Sequence, residues 1–77
     1  MRKRYTFVAM VLHRDESKPQ EMDRGKELDM QKYILQQYQI GLGYHKGYKE
    51  SDNAYALFVD GTDMTLTRFF VRKVEVV

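Results

Sequence analysis

The chain has no cysteine and no tryptophan, and only one proline, Pro19. Without cysteine there is neither a disulfide framework nor a thiolate zinc site. No apolar run approaches the roughly 18 residues that a membrane-spanning helix needs, so no membrane partner is expected. The longest stretch, Phe7–Leu12, follows a basic lead. It is too short for a signal peptide core, and His13-Arg14-Asp15-Glu16 stands where small cleavage-site residues belong. A cytoplasmic location is therefore expected. Charge of one sign is also lacking: 13 Lys+Arg against 11 Asp+Glu leave +2, too little for an electrostatic argument from the whole chain.

What is present is a globular composition, 43% hydrophobic and 31% charged, outside the disordered range. Its 77 residues suit one domain spanning 1–77. A domain this short buries only about 60% of its unfolded surface. Lacking disulfides, it depends on good packing or on a second subunit. Six tyrosines, four phenylalanines and five methionines supply the packing area, and a homodimer is a reasonable expectation.

Tyr5–Leu12 is apolar on both alternating faces, as in a central strand covered on two sides. His13–Gln20 reads as a loop. Glu21–Ile40 reads as a helix, with Met30, Ile34 and Tyr38 on one stripe and Leu28, Leu35 and Leu42 on an adjoining strip. Glu21, Asp23 and Glu27 suit a helix N-terminus. Gly25 weakens the first turns and draws the start toward Lys26. Gly41 and Gly43 fit a left-handed C-cap. Tyr33 and Ile40 widen the apolar arc and hint at a second contact. Gly43–Asn53 reads as a long loop with room for a short strand at Tyr44–Tyr48. Ala54–Val59 and Met64–Val76 alternate as strands around an Asp60-Gly61 turn.

The resulting expectation is a small α+β domain in the order β-α-β-β, one helix on a three-stranded, mainly antiparallel sheet. One helix covers one sheet face, so the second face calls for a second copy or a partner protein. Should the outer strands lie side by side, the basic lead and the basic last strand would share one side of the sheet.

No diagnostic catalytic or cofactor motif is present. His13 and His45 form no spaced ligand pair, Ser17 and Ser51 lack a nucleophile elbow, and Gly41-Leu42-Gly43 follows a helix rather than opening one, so it cradles no phosphate. Asp60–Asp63 lacks the remaining ligands of a calcium loop. Neither metal nor cofactor is expected.

Three functions fit. The leading one is a non-catalytic protein-binding module, a small inhibitor or modulator of a larger enzyme or complex of the phage or mobile-element accessory type. Tyr33, Ile40, Tyr44, Lys46, Tyr48 and Lys49 are its candidate contacts, since exposed tyrosine is a favoured interface anchor; the same tyrosines would also suit a loop folded back on the core. The second is nucleic-acid binding through Arg2, Lys3, Arg4, Lys46, Lys49, Arg68, Arg72 and Lys73. The Arg68–Lys73 alternation is shared with RNA-recognition strands, but the expected elements lack their second helix and fourth strand. The third is a metal-independent ribonuclease using His45, Lys46, Lys49 and Arg72, which would have to converge on one phosphate.

Overall fold

A computed structural model describes residues 3–77. The chain forms β1 (Arg4–His13), β2 (Gln20–Gly25), α1 (Glu27–Leu42), β3 (Gly47–Ser51), β4 (Ala54–Phe58) and β5 (Thr65–Val76). It is a small α+β domain, but the sheet has five strands, in the order β2-β1-β5-β4-β3, where three were expected. All neighbouring strands are antiparallel. The two outer strands of the expected order are thus the central neighbours of the sheet, with Arg4 opposite Val76 and His13 opposite Thr67.

The two missed strands are the edges. β2 occupies what reads as the first turns of the helix. Its Glu21 and Asp23, which suit a helix dipole, instead hold Arg24: Glu21 by a salt bridge and Asp23 by accepting the Arg24 backbone N–H. The open edge of β1 supplies hydrogen-bond partners that outweigh the weak local preference of a polar segment. A bulge opposite Ala9 and Met10 and the charges along β2 blunt the new edge against further pairing. β3 replaces most of the expected long loop and pairs with β4.

The helix begins at Glu27, with Lys26 extended before it and Glu27 and Asp29 in its first turn. Its end corrects the left-handed cap. Helix continues through Gly41 to Leu42, and Gly43 is right-handed with φ −67°. A Cβ at 41 would run into the Leu57 side chain on β4, which would have to shift to admit it. The one positive φ among the described residues belongs to Gly61, at 72°, in the β4–β5 turn.

The core lies between α1 and one sheet face. Met30, Ile34 and Tyr38 pack on Ala9, Val11, Tyr55, Leu57 and Phe69. Tyr38 stacks on Tyr55 with centroids 4.7 Å apart. Gln31 Nε2 donates to Asn53 Oδ1 at 2.5 Å, tying the helix to the β3–β4 turn.

Because strand side chains alternate, Val8, Met10, Ala54 and Ala56 fall on the other face, where no helix sits. They are nonetheless buried; Val8 and Ala56 are each 1% exposed. Longer partners lie across them: Arg72 is opposite Val8, Phe70 opposite Met10 and Ala54, and Arg68 opposite Ala56. The second face thus differs from the expectation that another chain must cover it. Its apolar floor is shielded by guanidinium stems and a ring from β5, as long charged side chains do elsewhere.

Candidate functional site

The α1–β3 connection crosses one end of the sheet. Backbone bonds from Tyr44 N and His45 N to the Gly41 carbonyl, at 3.0 and 2.9 Å, close the end of the helix. Across from this connection stands the β4–β5 turn, held by Val59 N to Met64 O at 2.8 Å. Between them lies an open cleft of about 780 Å³, lined on one side by Leu42, Tyr44, His45 and Lys46 and on the other by Phe58, Asp60 and Asp63. His45 Nδ1 sits 3.0 Å from Asp60 Oδ1 and ties the two walls together. Three large apolar side chains stand exposed over positions 40–44: Ile40 at 59%, Leu42 at 43% and Tyr44 at 80%.

The predicted contact residues divide. Tyr33 and Ile40 share one flank of α1, two turns apart, but Tyr33 is half-buried against the core. Tyr44 and Lys46 line the cleft. Tyr48 and Lys49, expected beside them in a loop, are in β3 and point to opposite sheet faces. Lys49, opposite Tyr55, lies on the helix side, where its Nζ meets Asp52 at 2.7 Å. Tyr48, opposite Ala56, lies on the other side.

That other face carries a connected network. The Tyr48 hydroxyl donates to Glu50 Oε1 at 2.9 Å, and Arg68 Nη2 donates to Glu50 Oε2 at 2.7 Å. Tyr48 stacks on Phe58 at 5.2 Å, and the Arg68 guanidinium lies 5.6 Å from the Phe70 ring centre. The hydrogen bond from Tyr48, then that from Arg68, holds the Glu50 carboxyl below its ordinary value, and Glu50 in turn raises the Tyr48 phenol. A carboxylate lowered by folding adds stability above its unfolded value; that stability is lost as pH falls through the lower folded value. The expected result is that Glu50→Gln is less stable than the parent at neutral pH, and that the gap narrows as pH falls below the ordinary carboxylate range. Urea unfolding of both chains along a pH series measures this; a constant gap would count against the network.

The residues of the nucleic-acid set are spread over both faces. Arg4, Arg68 and Arg72 share the face away from the helix by register, while Lys73, opposite Phe7, lies on the helix side. Lys73 sits 4.2 Å from the Tyr5 ring centre. Lys3 precedes β1 and is exposed. Arg2 lies outside the described residues. The ribonuclease set does not converge: His45 and Lys46 line the cleft, Lys49 is paired with Asp52, and Arg72 is on the other sheet face opposite Val8. Among the described residues no group of three or more His, Asp or Glu side chains is placed to hold a metal, and no helix is long and apolar enough to cross a membrane.

The sequence marked Asp60 as a turn residue, Leu42 as part of the helix strip, Glu50 as part of an acidic rim with Asp52 and Phe58 as a strand position, and it brought none of them together as a site. The parity of Arg68, Phe70 and Arg72 along β5 was legible. That of Tyr48 and Glu50 was not, because the short strand expected at Tyr44–Tyr48 stops where β3 runs on to Ser51. The chain matches no protein-family model, and comparison with curated proteins and with solved structures returns no match.

Proposed function

We propose that this chain is a non-catalytic protein-binding module, a small modulator of a larger enzyme or complex, and that it docks through the C-terminal end of α1 and the adjoining cleft. The observation that carries this reading is the exposure of Leu42 and Tyr44 in the lining of the cleft, with Ile40 exposed on the neighbouring flank of the same helix end. Exposed aromatic and aliphatic side chains next to a pocket are the usual anchors of an interface, where a few residues supply most of the affinity. The turn wall presents Asp60 and Asp63, both exposed. The fitting partner segment therefore carries an apolar side chain for the cleft and a base beside it. His45 and Lys46 on the facing wall favour an acceptor on the partner backbone.

The test compares the full chain with the Ile40→Ser/Tyr44→Ala double variant. Both positions are exposed, so the circular dichroism spectrum and thermal midpoint are expected to stay close to the parent. A partner that binds the parent is expected to lose at least about ten-fold in affinity for the variant, which corresponds to about 1.4 kcal/mol. A cross-linker placed at position 44 should reach that partner. Equal affinity of the two chains would overturn the reading.

A further inference from the structure

We infer that the sheet face turned away from α1 binds single-stranded nucleic acid. Register places Arg4, Arg68 and Arg72 on this face from the two central strands, and Arg24, opposite Val8, from β2. Every basic residue of the strands on this face is arginine. The strand lysines, Lys49 and Lys73, fall on the helix side. A sheet that only needed solubility could use either residue. A planar guanidinium, unlike an ammonium, both forks onto a phosphate and stacks on a ring.

The acids are segregated as well. Asp23 and Glu75 fall on the helix side, opposite Ala9 and Tyr5. The face in question has only Glu21 and Glu50, and each is already held by an arginine, Arg24 and Arg68. Among the described residues Arg4 and Arg72 have no carboxylate within 4.0 Å. These two cations stand at the same end of the sheet, toward the start of β1 and the end of β5.

Between the cations lie rings. Phe70 is midway between Arg68 and Arg72 on one strand, about 7 Å from each at the strand rise. The Tyr48–Phe58 stack continues the aromatic row toward β3. Flat rings interleaved with cations on an open sheet match a ligand that alternates phosphates with unpaired bases, because every base has a face to stack. A duplex keeps those faces inside its own stack and offers only its backbone. Single strands are therefore preferred. A purely acidic protein would use the arginines and leave the rings without a counterpart.

This surface is on the opposite side of the sheet from α1 and does not rest on the protein-docking reading. The experiment is fluorescence anisotropy of the full chain with labelled mixed-sequence 12-mers: RNA, DNA and a DNA duplex, each at 50 and 200 mM salt. Binding of either single strand, at least several-fold tighter than of the duplex, is expected. With two to three phosphate contacts, the fourfold salt increase should weaken it about ten-fold. Arg4→Gln/Arg72→Gln should weaken binding about ten-fold and flatten the salt slope, and Phe70→Leu should weaken it while leaving the slope. Lys49→Gln/Lys73→Gln and Ile40→Ser/Tyr44→Ala should bind as the parent does, the latter separating this failure from that of the protein-docking reading.

No single-strand binding at 50 mM salt overturns the inference. So does an unchanged Arg4→Gln/Arg72→Gln variant with retained circular dichroism. Polyglutamate competing as well as an oligonucleotide of equal charge would also overturn it, and would assign the face to an acidic protein instead.

Discussion

Ile34→Ala is expected to cost about 3–4 kcal/mol, in the range measured for truncating a buried branched side chain. Ile34 is 0% exposed and sits between Met30 and Tyr38 on the helix stripe, above Ala9, Val11, Tyr55, Leu57 and Phe69. The cavity would open at the middle of the contact between α1 and the sheet, where the described residues hold no second helix to collapse into it. A domain of this length has a total stability of about 4–12 kcal/mol, so the variant is expected to lose about a quarter of it or more. Urea unfolding followed by circular dichroism measures the change. A loss below about 1 kcal/mol would mean that α1 is not seated on the sheet through this residue.

Gly47→Ala is expected to be nearly as damaging, although it adds one methyl group. A Cβ at 47 would run into the Ala56 carbonyl oxygen and come within 2.8 Å of Tyr38 Cε1. The first obstacle is backbone of the paired strand and cannot turn aside without breaking the β3–β4 ladder. The second is a ring fixed by its stack on Tyr55. Overpacking of this kind costs about 1–3 kcal/mol, and here the upper end is expected. If β3 peels away instead, amide exchange will quicken along β3 and leave the β1–β5 ladder protected. Gly61→Ala is the comparison: nothing lies within 4 Å of the added Cβ, so only the left-handed backbone strain of about 1–2 kcal/mol remains. Should Gly47→Ala prove the milder of the two, the close approach of β3 to Tyr38 is wrong.

Legibility in the sequence followed burial. β1, β4, β5 and the body of α1 each bury apolar residues at their own period, and those elements were found within a few residues of their observed bounds. β2 buries only Met22 and Gly25, each in part, and in β3 Gly47 alone is partly buried. Strands at an edge carry one partner and few buried side chains, so no period-two signal survives in Gln20–Gly25 or Gly47–Ser51. The acids of β2 gave the opposite signal, since the same residues suit a helix start and a charged edge. For the site, the exposure of Ile40 and Tyr44 was anticipated from the excess apolar arc and the tyrosine-rich connection. Asp60, which meets His45 across the cleft, is fifteen residues away in sequence, and nothing local to either residue marks the pairing. The expectation that the basic lead and the basic last strand share one side of the sheet if they adjoin meets a division by face: Arg4, Arg68 and Arg72 lie on one face and Lys73 on the other.

That adjacency also sets how the chain must fold. β1 with β2, and β3 with β4 and β5, are contiguous units that can each zip locally across short connections. The ladder joining them, from Arg4 opposite Val76 to His13 opposite Thr67, pairs segments from the two ends of the chain. Its loop-closure entropy is due before any of its contacts form, and such nonlocal pairing slows folding relative to local topologies of equal length. The central seam of the sheet is thus expected to form last, and the two half-sheets, each with an unpaired strand until they meet, are the species expected to swap strands with a neighbour.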